Sequence, residues 1–289
     1  MSNSNLKIIF FGTSDFSVLI LGQLISAGYG VTAVITAPDQ PTGRKKILTA
    51  PPAKLAALEL GIPVFQPASL KKDESFFEQF QSLNPDICIV ASYSKIIPQR
   101  YLDIPPKGFL NIHPSLLPKY RGPSPIQTAI LNGEIETGVT VMQVDVEMDH
   151  GFILLQLSLA IGPHETYQEL HDRLANEGAQ LLLAAIKNWD TLEPREQDHY
   201  RATVTKMFER ADGKIDWSKP TKEIYDQIRA LNPEPGTWTT WQEKILNIKK
   251  ATLNDAKLEL VTIQLEGKKE IPFTDFLRGH PDFDISKLK

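Results

Sequence analysis

The 289-residue sequence predicts an α/β fold: a doubly wound, mainly parallel sheet followed by a small C-terminal β domain. Two patterns carry this expectation. The first 160 residues alternate short, wholly apolar β-branched runs with stretches of helical period. After residue 204, short alternating runs bounded by turns take over. An apolar run without alternation marks a strand buried on both faces, as in a parallel sheet, whereas alternation marks a strand with one solvated face.

Residues 8–11, 31–36 and 87–91 are strands of the first kind. Between the first two, Phe16, Leu19, Ile20, Gln23, Leu24 and Ala27 recur at helical spacing, and Gly28 supplies the stop. Residues 51–60 and 73–81 form two further helices, the second opened by an acidic first turn. Strand and helix in alternation imply right-handed βαβ crossovers. A strand over 109–112, a helix over 125–132 and a strand over 139–146 follow, with 152–161 pairing back as a hairpin. A long amphipathic helix over 166–189 closes the region. The stretch 192–201 is polar and charged, the composition of a linker. Beyond it a helix over 221–231, a Pro-Glu-Pro-Gly turn at 233–236, and short runs at 237–242, 246–250 and 258–264 make up the β domain. The expected division is 1–190, a linker at 191–204, and 205–289.

Composition narrows the class. Hydrophobic residues make up 42% and charged residues 23%, which excludes a disordered or collagen-like chain. No apolar run approaches the roughly 20 residues that span a bilayer, so no membrane partner is expected. The start lacks a basic stretch before its first apolar run, and that run is shorter than the roughly 7–15 residues of a signal-peptide core. Cys88 is the one cysteine and cannot form an intramolecular disulfide, so a cytoplasmic location is expected. The formal charge is −4, split as −6 over residues 1–200 and +2 over 201–289. That asymmetry fits a C-terminal segment that meets a polyanion, and equally two differently solvated surfaces.

The first strand–helix turn, Phe11-Gly12-Thr13-Ser14-Asp15-Phe16, holds one glycine. A dinucleotide fingerprint needs three, and no Walker A sequence is present. The densest cluster of reactive residue types runs from 109 to 123. On a strand, Asn111 and His113 are i and i+2 and project from the same face. An amide donor beside an imidazole is the pairing that acyl transfer needs: one group meets a developing oxyanion while the other adds charge or moves a proton. A histidine at a strand end also serves purely structural roles. Met148-Asp149-His150-Gly151 follows the 139–146 strand, and Asp149 there can orient the imidazole, although a turn carboxylate is often only a turn residue. None of the six histidines forms an HExxH or CxxC arrangement, so no metal is expected. His171 falls on the polar side of its helix and is expected to be solvated; Cys88, in an Ile-Cys-Ile-Val run, to be an inert buried thiol.

The run from Asn111 to Gln127, with Asn-Ile-His-Pro-Ser-Leu-Leu-Pro, Tyr-Arg-Gly and Ser-Pro-Ile-Gln, resembles the formyltransferases that use 10-formyltetrahydrofolate, most closely their methionyl-tRNA branch. Other segments agree in order: 10–17 with the family's opening turn, 42–46 with 51–54 for a basic inserted loop, 91–98 for the loop after a later strand, and Asp149-His150-Gly151 for its aspartate turn. Residues 212–217, 228–233 and 276–280 resemble its C-terminal domain. The resemblance implies a Rossmann-like catalytic domain and an OB-like, tRNA-binding C-terminal domain. It implies Asn111, His113 and Asp149 as the catalytic trio. It assigns Ser115, Leu116, Leu117 and Pro118, with Ile96 and Ile97, to the folate, and Arg44, Lys45, Lys46, Lys119 and Arg121 to the tRNA. The formyl donor would be 10-formyltetrahydrofolate, the acceptor the α-amine of initiator methionyl-tRNA, and the enzyme a monomer without a metal.

The sequence departs from the family pattern in three places. The basic loop is one residue shorter, His150 replaces a smaller residue, and only a short link at 250–257 joins 245–249 to 258–260, which predicts a shortened barrel. A reduced C-terminal module also suits formyltransferases that act on nucleotide-linked amino sugars, the alternative enzyme. A folate- or RNA-binding module without catalysis is the non-enzymatic alternative.

Overall fold

The computed structural model describes residues 6–43, 46–285 and 288. The chain begins with β1 (Ile8–Gly12), α1 (Asp15–Ser26) and β2 (Val31–Ile35), followed by a hairpin of β3 (Gln40–Thr42) and β4 (Ile47–Thr49). Then come α2 (Pro52–Glu59), β5 (Val64–Phe65), α3 (Glu74–Leu83), β6 (Ile87–Ala91), α4 (Gln99–Leu102) and β7 (Phe109–His113). The remainder of this part is α5 (Pro125–Leu131), β8 (Glu136–Gln143), β9 (Ile153–Ala160) and α6 (Tyr167–Lys187).

The main sheet has seven strands in the order β5-β2-β1-β6-β7-β8-β9. β1 pairs in parallel with β2 and β6, and β6 with β7, whereas β7 and β8 are antiparallel. The wholly apolar strands occupy the middle, where helices cover both faces: Ile8, Ile9, Phe10, Phe11, Ile87, Cys88, Ile89 and Ala91 are fully or almost fully buried. Cys88 lies among them, and burial pushes its thiol well above the usual range. On one face an aromatic cluster forms around Phe11, Phe76, Phe80, Tyr101 and Phe109. Each such ring removed from water contributes about 1.5–3 kcal/mol.

The turn after β1 needs its glycine for packing rather than for a phosphate. A Cβ on Gly12 would collide with Ser17 of α1 and with the Phe10 ring. α3 opens at Asp73, whose carboxylate accepts from the Phe76 amide at 3.0 Å, the N-cap interaction expected of its acidic start. Lys54 pairs with Asp39 at 2.8 Å, and the Gln66 amide together with that ammonium holds the Asp39 carboxyl below its usual range.

His171 departs from expectation. It is buried, its ring packed edge-on against Phe16 at 5.4 Å and its Nδ1 2.8 Å from Asp172 Oδ1. The polar-looking face of α6 at this point meets α1, and periodicity within one helix carries no information about that neighbour.

The chain divides into two compact units. Unit 1 comprises the described residues of 1–122, 138–158 and 171–204; unit 2 comprises 123–137, 159–170 and those of 205–289. Within unit 1 the segment 191–204 is anchored rather than extended: Ile153 and Arg195 exchange two backbone hydrogen bonds of 2.8 Å, and the Arg121 amide donates to Thr203 O at 2.8 Å.

Unit 2 carries α7 (Thr221–Leu231), β10 (Thr237–Trp241), β11 (Lys244–Asn254), β12 (Lys257–Leu265), β13 (Ile271–Pro272) and α8 (Phe273–Gly279). The four strands make one antiparallel sheet in sequence order. β11 and β12 join through a tight turn at Asp255 and Ala256, both with positive φ, so residues 250–254 are strand and the expected link shrinks to that turn. Ile224, Tyr225 and Ile228 of α7 and Phe276 of α8 pack with Leu246, Ile248, Leu260 and Ile263 into its core. No helix of the described residues is long and apolar enough to cross a membrane.

Candidate active site

β7 is apolar except at Asn111 and His113, and its ladder with β6 and β8 fixes both side chains on one face. Pro114 ends the strand. The proline-containing loop beyond is held by hydroxyl and amide bonds: Thr140 Oγ1 donates to Ser115 O at 2.7 Å and accepts from the Leu117 amide at 3.2 Å. Gln156 Nε2 donates to Leu117 O at 2.7 Å, and Ser115 Oγ to Lys119 O at 2.6 Å. Ser115 and Leu117 are buried, while Leu116 and Pro118 are half-buried.

Asp149 arrives by an indirect route. In the register, Gln143 at the end of β8 lies opposite Leu110, near the start of β7. The turn from β8 to β9 therefore folds back across the sheet face. Asp149 Oδ1 accepts from Asn111 Nδ2 at 3.1 Å and lies 3.6 Å from His113 Nδ1. Asp149 Oδ2 accepts from the Gly122 amide at 2.7 Å. Asn111, His113 and Asp149 are thus brought together around one carboxylate.

His113 is buried, and its Nε2 lies 2.8 Å from Tyr120 O. A carbonyl oxygen only accepts, so Nε2 carries a proton and Nδ1 is the nitrogen that faces Asp149. The ring can therefore gain or give a proton on the side of the carboxylate. The Asn111 amide has a second N–H besides the one given to Asp149. One donor, one titratable ring and one anion on a single sheet face are the parts that acyl transfer requires.

Two further groups shape the site and had no signal in the sequence: the Gly122 amide, which is main chain, and Gln197, a 4% exposed amide inside a polar stretch. The Asp149 turn is tight, with Asp149 at φ +51°. A Cβ on Gly151 would strike the Gln143 carbonyl. Gly151→Ala is therefore expected to lower stability by about 1–3 kcal/mol, read as a fall in the thermal unfolding midpoint; an unchanged midpoint would contradict that packing.

The other expected site residues separate. Ile96, in the loop after β6, is 78% exposed while its neighbour Ile97 is buried. Val146, Met148 and Phe152 are exposed apolar residues in the turn that carries Asp149. That loop after β6 is tied down where Ser14 Oγ donates to Ser92 Oγ at 2.8 Å and Lys95 Nζ to Pro67 O at 2.6 Å. Lys46 and Lys119 are exposed; Arg44 and Lys45 lie outside the described residues. Arg121 is 9% exposed, and its guanidinium donates to Gln197 Oε1 at 2.7 and 3.2 Å and to His199 Nδ1 at 2.8 Å. His150 bonds Asp145 Oδ2 through Nδ1 at 2.7 Å and stacks on His199 with ring centroids 4.1 Å apart. Among the described residues, no group of three or more His, Cys, Asp or Glu is arranged to hold a metal. Unit 2 has an open groove of about 650 Å³ lined by residues such as Trp217, Lys219 and Leu258, which contains none of the constellation.

Residues 6–186 match the family model described as formyl transferase, and 207–259 that of the formyl transferase C-terminal domain. A methionyl-tRNA formyltransferase of Desulforamulus reducens is 40% identical over 95% of both chains. One from Chloroflexus aurantiacus is 45% identical over 87% of this chain and 81% of its own. Among solved structures, methionyl-tRNA formyltransferase from Clostridium thermocellum superimposes with a TM-score of 0.64 at 20% identity, covering 90% of this chain and 98% of its own. An N-formyltransferase from Helicobacter canadensis, in complex with folinic acid and dTDP-3-aminofucose, gives 0.66 at 21% identity over 92% and 98%. The last two show the shared fold. With a matching model over most of the chain and relatives at this identity, the protein belongs to the formyl transferase family, and it is an enzyme of that family.

Proposed function

We propose that this enzyme moves the formyl group of 10-formyltetrahydrofolate to the α-amine of methionyl-initiator-tRNA, and that Asn111, His113 and Asp149 carry the reaction. The observation that supports the site is the convergence of amide, imidazole and carboxylate at 3.1 and 3.6 Å on one sheet face. The observation that supports the acceptor is about 40% identity to methionyl-tRNA formyltransferases across 95% of the chain.

An α-amine titrates near 8, far below a lysine amine near 10.4, so an appreciable neutral fraction is available at physiological pH. Its lone pair attacks the formyl carbon, a C–N bond forms, and the carbonyl electrons move onto oxygen. The Asn111 amide and the His113 ring meet that oxyanion. The bond to folate N10 then breaks as the attacking amine loses a proton and N10 gains one. His113 Nδ1 takes this proton and passes it to N10, directly or through water, while Asp149 attracts the positive charge that the ring carries meanwhile and the protonated ring faces the oxyanion. No covalent intermediate on the enzyme is needed.

The exposed apolar residues Ile96, Val146 and Met148 suit a flat heterocyclic donor, and Ile97 and the Ser115–Leu116–Leu117–Pro118 loop are assigned to the same ligand. Arg44, Lys45, Lys46 and Lys119 are assigned to tRNA phosphates, whose contacts are salt-dependent. Arg121, buried against Gln197, is assigned to shaping the loop from which Lys119 projects. In this reading residues 1–190 form the catalytic domain and 205–289 the tRNA-binding domain, joined by 191–204, in a monomer that works in the cytoplasm.

Purified protein with 10-formyltetrahydrofolate, offered either charged initiator tRNA or a nucleotide-linked amino sugar, tests the reading. Formyl-methionyl-tRNA is the expected product, with a KM for tRNA that rises with salt. Turnover of the amino sugar alone would replace the acceptor, and turnover of neither would end the enzymatic account.

A further inference from the structure

The segment between the two family-model matches, residues 187–206, returns to the site in unit 1 through Gln197, beside His199, which stacks on His150. Gln197 is 4% exposed and makes four hydrogen bonds. Its Oε1 accepts from Arg121 Nε at 3.2 Å and Nη2 at 2.7 Å. Its Nε2 donates to Asp149 O at 2.9 Å and Gly151 O at 2.8 Å. The orientation of the amide is chemically forced: turned over, its NH2 would face a guanidinium that only donates, and its oxygen two carbonyls that only accept.

These bonds fall where they matter mechanically. Asp149 is held at φ +51°, a left-handed conformation that an L residue leaves readily unless its surroundings fix it. Gln197 grips the carbonyls on both sides of His150, and the Gly122 amide takes the side-chain end of Asp149 at 2.7 Å. Main chain and carboxylate are pinned from opposite ends. Arg121, adjacent to Gly122, fixes Gln197 in turn, so the buried Gln197 amide joins the loop after β7 to the turn after β8 in addition to the Gly122–Asp149 bond.

We propose that Gln197 is a positioning residue: with Arg121 it locks the Asp149 turn so that a single carboxylate reaches Asn111, His113 and the Gly122 amide together. This rests on the catalytic assignment of Asp149 given above. The function of Gln197 lies in its two N–H donors, which separates it from simple space filling. Gln197→Glu keeps the size and the acceptor for Arg121 but turns an oxygen toward the two carbonyls. A misplacement of about 1 Å at a reacting group costs on the order of 10²-fold. Gln197→Glu is therefore expected to lower kcat by about 10–100-fold while KM for both folate and methionyl-tRNA stays within about twofold.

The decisive experiment is a double-mutant cycle of Gln197→Glu with Asp149→Asn on the full-length enzyme. If Gln197 acts through Asp149, the two losses are strongly non-additive, and Gln197→Glu costs less than about threefold more once Asp149 is altered. Additive losses, an unchanged kcat in the single variant, or a rise in KM that accounts for the whole effect would each overturn the proposal. Should the introduced carboxylate prevent folding, judged by circular dichroism, Gln197→Met carries the same cycle without new charge. An Asp149→Asn enzyme with full kcat would instead mark the failure of the catalytic assignment itself.

Discussion

A His113→Ala enzyme is expected to fold, to bind both substrates, and to lose about 10²–10⁴-fold in kcat on methionyl-tRNA. The size follows from what the ring does. It is buried, its Nε2–H is committed to Tyr120 O, and its Nδ1 is the one nitrogen left for chemistry, with Asp149 Oδ1 at 3.6 Å. Removal takes away proton movement and charge stabilisation together. It also leaves the Tyr120 carbonyl without that partner, at a cost of about 1–3 kcal/mol, which a folded domain of ordinary stability withstands. Single-turnover rates at saturating substrates, beside a thermal melt, separate the chemical loss from the structural one. A loss below about tenfold with the fold intact would remove His113 from the mechanism.

The second large effect concerns stability in unit 2. Asp226 and Arg229 form a buried ion pair at 2.8 Å, with side chains 3% and 4% exposed. Lys222 Nζ reaches the other Asp226 oxygen at 2.5 Å, and Arg229 Nη1 donates to Glu165 O at 2.6 Å. Asp226→Ala strands a guanidinium in the interior, which costs about 3–5 kcal/mol. For a unit of this size the unfolding midpoint is expected to fall by about 10 °C or more. Replacing both partners, as in Asp226→Leu with Arg229→Met, is expected to recover most of the loss, because a pair of apolar side chains carries no desolvation penalty. A calorimetric shift of only a degree or two in Asp226→Ala would show that water reaches and screens Arg229.

Much of the architecture was legible beforehand, and the reason differs by element. β1 and β6 announce themselves because a strand buried on both faces is apolar throughout. α3 announces itself through the acidic start that Asp73 caps, and α7 through its helical period. β5, two residues long, and the exposed hairpin of β3 and β4 carry too little pattern to register. Asn111 and His113 were legible because i and i+2 on a strand must share a face, which is local geometry. His171 was misread because its burial depends on Phe16 of another helix.

By itself the sequence determined the class of fold, the amide–imidazole pair and, through its ordered motifs, the family. Only the tertiary structure decided that the turn after β8 doubles back over the sheet to deliver Asp149, and that a glutamine in a polar stretch is buried beneath it. The physical reason is range. Periodicity and spacing record which face of one element a side chain occupies, whereas a hydrogen bond between residues 38 or 48 positions apart depends on how separate elements are laid against each other.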